Sequence, residues 1–208
     1  MTPETTLPTE PLGSIPRPPA LVQAIRDADA GRFDPAELEA LYDDAVRDTL
    51  RRFEATGSPV VSDGEQRKNH NFADCAVHGR PNFAPDGFKL RFVSHTRQWP
   101  RLTAGPSRYR QRGDQYLARA QQHSLIKPGQ RVYVGVIDVL DPPIETPQQV
   151  RERVLEAARC IRPEQLGTTD DCGFCPFCDD GSTSRNTAFA KIAARVEGTA
   201  LASAVLGR

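Results

Sequence analysis

The sequence predicts an α/β fold whose functional site gathers at the carboxyl ends of parallel strands. Two observations predict it. Capped helical segments alternate with short β-branched runs, and the polar residues collect where those runs end. At 208 residues, 38% of them hydrophobic, the chain is long enough for one domain with its own core, taken here as 1–208.

The elements follow in chain order. After a proline-rich entry, "PALVQAIRDADAG" predicts a short helix. A longer helix is predicted over 35–55, with Asp34 as N-cap, Pro35 in the first turn, Glu37 completing a capping box and Gly57 as the stop. Its apolar residues, among them Ala45, Thr49 and Phe53, recur at helical spacing and define one buried face. The run "SPVVSDGEQR" then predicts a buried parallel strand over 59–63 with a functional loop behind it. "KLRFVS" predicts a strand over 89–94. Further on, a strand over 132–138 ends in Asp138, and a helix over 147–161 is capped by Thr146. A strand over 165–169 and a last helix over 185–205 complete the set.

Composition excludes several function classes. Lys plus Arg equal Asp plus Glu at 27 each, so overall charge argues for neither nucleic acid nor a membrane surface. No apolar run reaches the ~18 residues of a spanning helix, and no basic leader precedes one. The expected compartment is the cytosol. Locally, residues 97–131 carry eight basic side chains against one acid, Asp114, with Trp99, Tyr109 and Tyr116 interleaved. That stripe reads either as a solvated surface or as a groove for an anion or a single strand.

Three of the five cysteines fall in "DDCGFCPFCDD", at CxxCxxC spacing: Cys172, Cys175 and Cys178. In a reducing compartment such clusters are more often metal ligands or reactive thiols than disulfides. Zinc needs three or four ligands, so an aspartate or His95 would have to close the set. An iron–sulfur cluster and a plain loop remain open alternatives. Cys75 and Cys160 read as ordinary small hydrophobes. His95, at the end of a predicted strand, has the best case among the histidines for a role in the site.

Taken together, "LGSIPRP", "VVSDGEQRK", "FVSHTRQWPRLTAGP", "VYVGVIDVLD" and "LGTTDDCGF" resemble the catalytic barrel of the cobalamin-independent methionine synthases, and in particular their single-barrel relatives. The resemblance runs over about 10–116 and 125–206. It implies a (β/α)₈ barrel and a zinc ion that binds the thiol of an acceptor such as homocysteine. The thiolate would take a methyl group from a donor of the folate type. It further implies that Cys172 is a zinc ligand, that Glu65 pairs with the acceptor's ammonium and that Ser14 holds its carboxylate. Asp138, at a strand end, joins Glu65 as a candidate catalytic carboxylate.

The sequence departs from the family in its middle. Family zinc sites use a His-x-Cys pair, and the four histidines here, His70, His78, His95 and His123, are followed two places on by Phe72, Arg80, Arg97 and Leu125. Only five or six candidate strands are found, where a barrel has eight in typically ~250 residues. The barrel is therefore expected to be incomplete, with the missing units between about Tyr116 and Lys127. This predicts impaired methyl transfer, the alternative being a non-catalytic α/β remnant used for binding or interaction. Open strand edges would invite self-association.

Overall fold

The computed structural model describes residues 6–68, 126–175, 179 and 181–208. The predicted strand 89–94, Cys75, Cys178, all four histidines, the basic stripe up to residue 125 and nearly all of the expected splice lie outside the described residues.

Helices α1 (Pro19–Asp29) and α2 (Pro35–Ala55) open the fold, strand β1 (Val132–Ile137) leads into α3 (Pro147–Ala158), and β2 (Leu166–Asp170) leads into α4 (Arg185–Val205). β1 and β2 pair in parallel, from Val132 opposite Leu166 to Gly135 opposite Thr169, with a slip before Ile137 meets Asp170. Parallel strands require a crossover, and α3 supplies it. On the other side of β2, Thr9 forms a single parallel bridge with Thr168. The Glu10 amide donates to the Thr168 carbonyl and the Thr168 amide to that of Pro8. The start of the chain thus lies beside its last strand.

Local signals explain the helix ends. Thr146 and Gln149 form a reciprocal capping box at α3. At α2 the expected box does not form: Asp34 accepts from the Ala36 amide, one residue short of Glu37. The α3 helix stops three residues before the predicted 161. There the amides of Arg159 and Cys160 bond three residues back, tightening the turn, and the 3₁₀ turn Pro163–Gln165 follows.

The predicted strand over 59–63 is a correction. Among the described residues this stretch joins no strand ladder, and Val60 and Val61 are exposed at 44% and 40%. A strand exists through backbone bonds to a neighbour, which an apolar run alone does not guarantee. Here the Ser58 hydroxyl instead donates to the Val60 carbonyl.

The core packs Val136, Ile137 and Leu166 of the strands against Val150 and Val154 of α3 and Ile192 and Ala202 of α4. Phe53 of α2 meets Phe189 of α4 edge-on, with ring centroids 5.3 Å apart. Gly198 lets α4 approach α3 closely, since a Cβ there would lie 2.5 Å from Cβ of Val150.

α4 also buries two cations one turn apart. Lys191 Nζ donates to Glu145 (2.8 Å) and to the carbonyls of Asp138 and Pro143. Arg195 meets Asp170 at 2.8 Å, both side chains at most 1% exposed. Burial outweighs the Arg195 charge and pushes the Asp170 carboxyl up to about 6. Glu145 moves the other way: burial alone would raise it, but hydrogen bonds from Lys191, the Asp138 amide and Arg153 hold it below its ordinary value.

Asp170 keeps its proton in the folded state up to about pH 6, whereas the unfolded chain releases it near 3.8, the ordinary aspartate value. The native state therefore binds more protons in that window, and this group's contribution to stability falls as pH rises through it. Urea unfolding of the wild type and Asp170→Asn from pH 4 to 6.5 should show this slope in the difference between them. Parallel curves would refute it. At pH 7, Arg195→Met strands a buried carboxylate and should cost about 3–5 kcal/mol.

Candidate functional site

Three segments converge beyond the carboxyl ends of the strands: 13–17 after the first bridge, 64–68, and 171–175 after β2, with Asp179 close by. Their approach depends on glycine. A Cβ on Gly173 would lie 2.5 Å from the Ser14 amide nitrogen, and one on Gly13 would lie 2.9 Å from Cα of Gly173. The close contact lets the Phe174 amide donate to the Ser14 carbonyl (2.8 Å) and the Cys175 amide to Ser14 Oγ (3.3 Å). Ser14 is 1% exposed, yet its hydroxyl accepts from Cys175 and so keeps its proton for a further acceptor.

The second segment joins through the Ile15 amide, which donates to the Gly64 carbonyl (3.0 Å). Gln66, fully buried, returns its side-chain amide to the Ile15 and Gly64 carbonyls. Glu65 sits between them with φ +53, a left-handed conformation that costs a non-glycine residue free energy. One of its carboxylate oxygens is buried without a hydrogen-bond partner among the described residues.

The predicted site residues thus fall into distinct settings. Ser14, Glu65 and the Cys172–Cys175 loop share one end of the fold through the bonds just described. Asp138 follows β1 at the same end, but it is exposed and its Oδ1 accepts from the amides of Leu140 and Asp141, so it caps its own loop. Its charge reaches the neighbouring strand end, where burial first and Asp138 second raise the Asp171 carboxyl. Cys172 is exposed and Cys175 is buried. Among the described residues no three His, Cys, Asp or Glu side chains come together as a metal cluster. Cys160, on the turn after α3, is half-buried against the core as a small hydrophobe.

Sequence reasoning missed Arg17, Gln66 and Arg185. The Arg185 guanidinium, at the start of α4, bonds Asp48, Thr49 Oγ1 and the Pro16 carbonyl. Nothing in "PRP" or "EQRK" separates such buried groups from surface charge; only the apolar residues and glycines around them hint at a packed corner.

Known proteins resemble the chain over part of its length. Over 95 residues, 46% of the chain, it is 36% identical to the methionine synthase of Sulfolobus acidocaldarius, and over 63 residues, 30% of the chain, 43% identical to that of Sulfurisphaera tokodaii. Over these stretches the chain is similar to methionine synthases. The matched stretches span only 26% and 19% of those two proteins. Among solved structures, the chain shares the fold of a B12-independent methionine synthase from Shewanella sp. W3-18-1, determined in complex with selenomethionine. That likeness has a TM-score of 0.63 at 15% identity and covers 97% of this chain and 99% of that one. No protein-family model matches the chain. No helix among the described residues is long and apolar enough to cross a membrane.

The Gly173–Ser14 contact is directly testable. Gly173→Ala should lower stability by about 1–3 kcal/mol in urea unfolding, because backbone rather than a flexible side chain must move. A variant as stable as the wild type would show that the two segments do not touch in solution.

Proposed function

We propose that the chain is an incomplete (β/α)₈ barrel of the methionine synthase type that binds a small thiol amino acid, homocysteine in kind, where Ser14, Glu65 and the 171–175 loop meet. Glu65 carries the reading. A strained backbone and a buried carboxylate oxygen without a partner among the described residues suit a group kept for an incoming cation, and the acceptor's ammonium is such a cation. Ser14 would then donate its free proton to the acceptor's carboxylate. Support comes also from the segment order, β1, β2, Thr9 and then Gly64 beside Ile15, which sets the first segment against the last strand as barrel closure requires. The selenomethionine of the Shewanella structure has the size of methionine, one methyl group larger than homocysteine.

The reaction proposed by family is transfer of a methyl group from a folate-type donor to the acceptor thiol, with zinc to hold the thiolate. The described residues do not by themselves fit zinc: Cys172 is exposed, Cys175 is buried, and no third ligand joins them. No step is therefore assigned to the metal. The sequence holds no His-x-Cys, which supports impaired transfer and, as a second reading, a protein that binds the acceptor without turning it over.

Calorimetric titration with L-homocysteine and L-methionine should show binding that Glu65→Gln weakens roughly 10- to 100-fold, the worth of a charge-assisted hydrogen bond. Absence of binding in the wild type would sink the site. Methyl transfer from methyltetrahydrofolate to homocysteine should be slow or absent. Rapid, chelator-sensitive turnover would instead establish a working metal enzyme.

A further inference from the structure

We propose that Arg17 is the positioning residue of this corner, a single buried guanidinium that fixes the Ser14, Glu65 and cysteine segments relative to one another. The inference rests on the reading of that corner as an amino-acid site. The Arg17 side chain is 1% exposed. Its Nε donates to the Gln66 carbonyl (2.8 Å), one Nη to the Lys68 carbonyl, and the other to both carboxylate oxygens of Asp179 (2.9 and 3.0 Å). Its carbon lies 5.9 Å from the ring centre of Tyr42 on α2. Three residues before it stands Ser14; its partners Gln66 and Lys68 flank Glu65 within three positions; Asp179 stands seven positions after Cys172 in the sequence.

Only arginine suits this place. Three bonding directions must leave one side chain in a plane, which a guanidinium provides and an ammonium, donating from one atom, does not. A cation this deep is tolerated because a carboxylate and two carbonyls surround it. Lys68 adds a second stitch, its Nζ donating to the Cys175 carbonyl, so freeing Arg17 loosens the 64–68 segment on which that stitch depends. Arg17 itself reaches backbone and Asp179 in these bonds and acts through Glu65 and Ser14.

The test uses the full chain and two readouts: iodoacetamide modification of the buried Cys175, located by mass spectrometry, and L-methionine affinity. Arg17→Ala should raise Cys175 modification about tenfold and lower affinity about tenfold, with circular dichroism unchanged. Methylguanidinium should restore both in part, whereas Arg17→Lys should not. Asp179→Asn removes one arm only and should shift both readouts the same way by about threefold, which decides the matter if Arg17→Ala does not fold. Exposed Arg26→Ala should change neither. A folded Arg17→Ala chain with Cys175 still protected, or with unaltered affinity, would overturn the proposal. If the wild type binds no methionine but Arg17→Ala exposes Cys175, the amino-acid reading fails and the clamp stands.

Discussion

The fold turns on the need to neutralise two cations that α4 carries inside the protein. Lys191 and Arg195 lie on the helix's inner face, and neither could be buried without an anion. Their anions come from the strand ends: Glu145 from the loop after β1 and Asp170 from the last position of β2. This fixes how far α4 can slide along the sheet and which end of the sheet it serves. Apolar packing alone would tolerate other registers, since Ala, Ile and Phe on the same face fit several neighbours. Burial works against the charged form of both Asp170 and Arg195. The pair is thus better understood as a device for alignment than as a source of stability.

From that alignment the corner follows. With Asp170 anchored, the next five residues leave β2 in a fixed direction and run against Gly13 and Ser14. Glycine on both sides lets two backbones meet where any side chain would hold them apart. The approach converts Ser14 from a loop residue into the receiver of the Cys175 amide. Each contact requires the previous one, and the result joins residues far apart in the chain.

Much of this was legible in the sequence, and the difference between success and failure is physical. α2 and α4 were bounded correctly because caps and helical periodicity are local: Asp34 and Pro35 act on α2 itself, and the apolar spacing of α4 lies within its own sequence. The strand over 59–63 was misplaced because pairing is not local, and an apolar pair such as Val60 and Val61 reads the same with or without a neighbour. Ser14, Glu65 and Cys172 were named through motif resemblance. Asp138 was named for its position at a strand end, and its role as a loop cap emerged only from its hydrogen bonds. Arg17 and Gln66 escaped notice because polar residues are usually solvated, and burial is a property of the whole fold.

The bridge between Thr9 and Thr168 also bears on how the protein is made. The amide of Leu7 bonds the hydroxyl of Ser203, 196 positions away, so a segment made early waits for one made much later. A ribosome adding about 5–20 residues each second would leave the first segment without its partner strand for roughly ten seconds or more. Until then Leu7 and Ile15, both core residues of the finished fold, have no β2 or α4 to cover them. Synthesis therefore includes an interval in which the segment around Leu7 and Ile15 is sticky, a state that chaperones exist to cover.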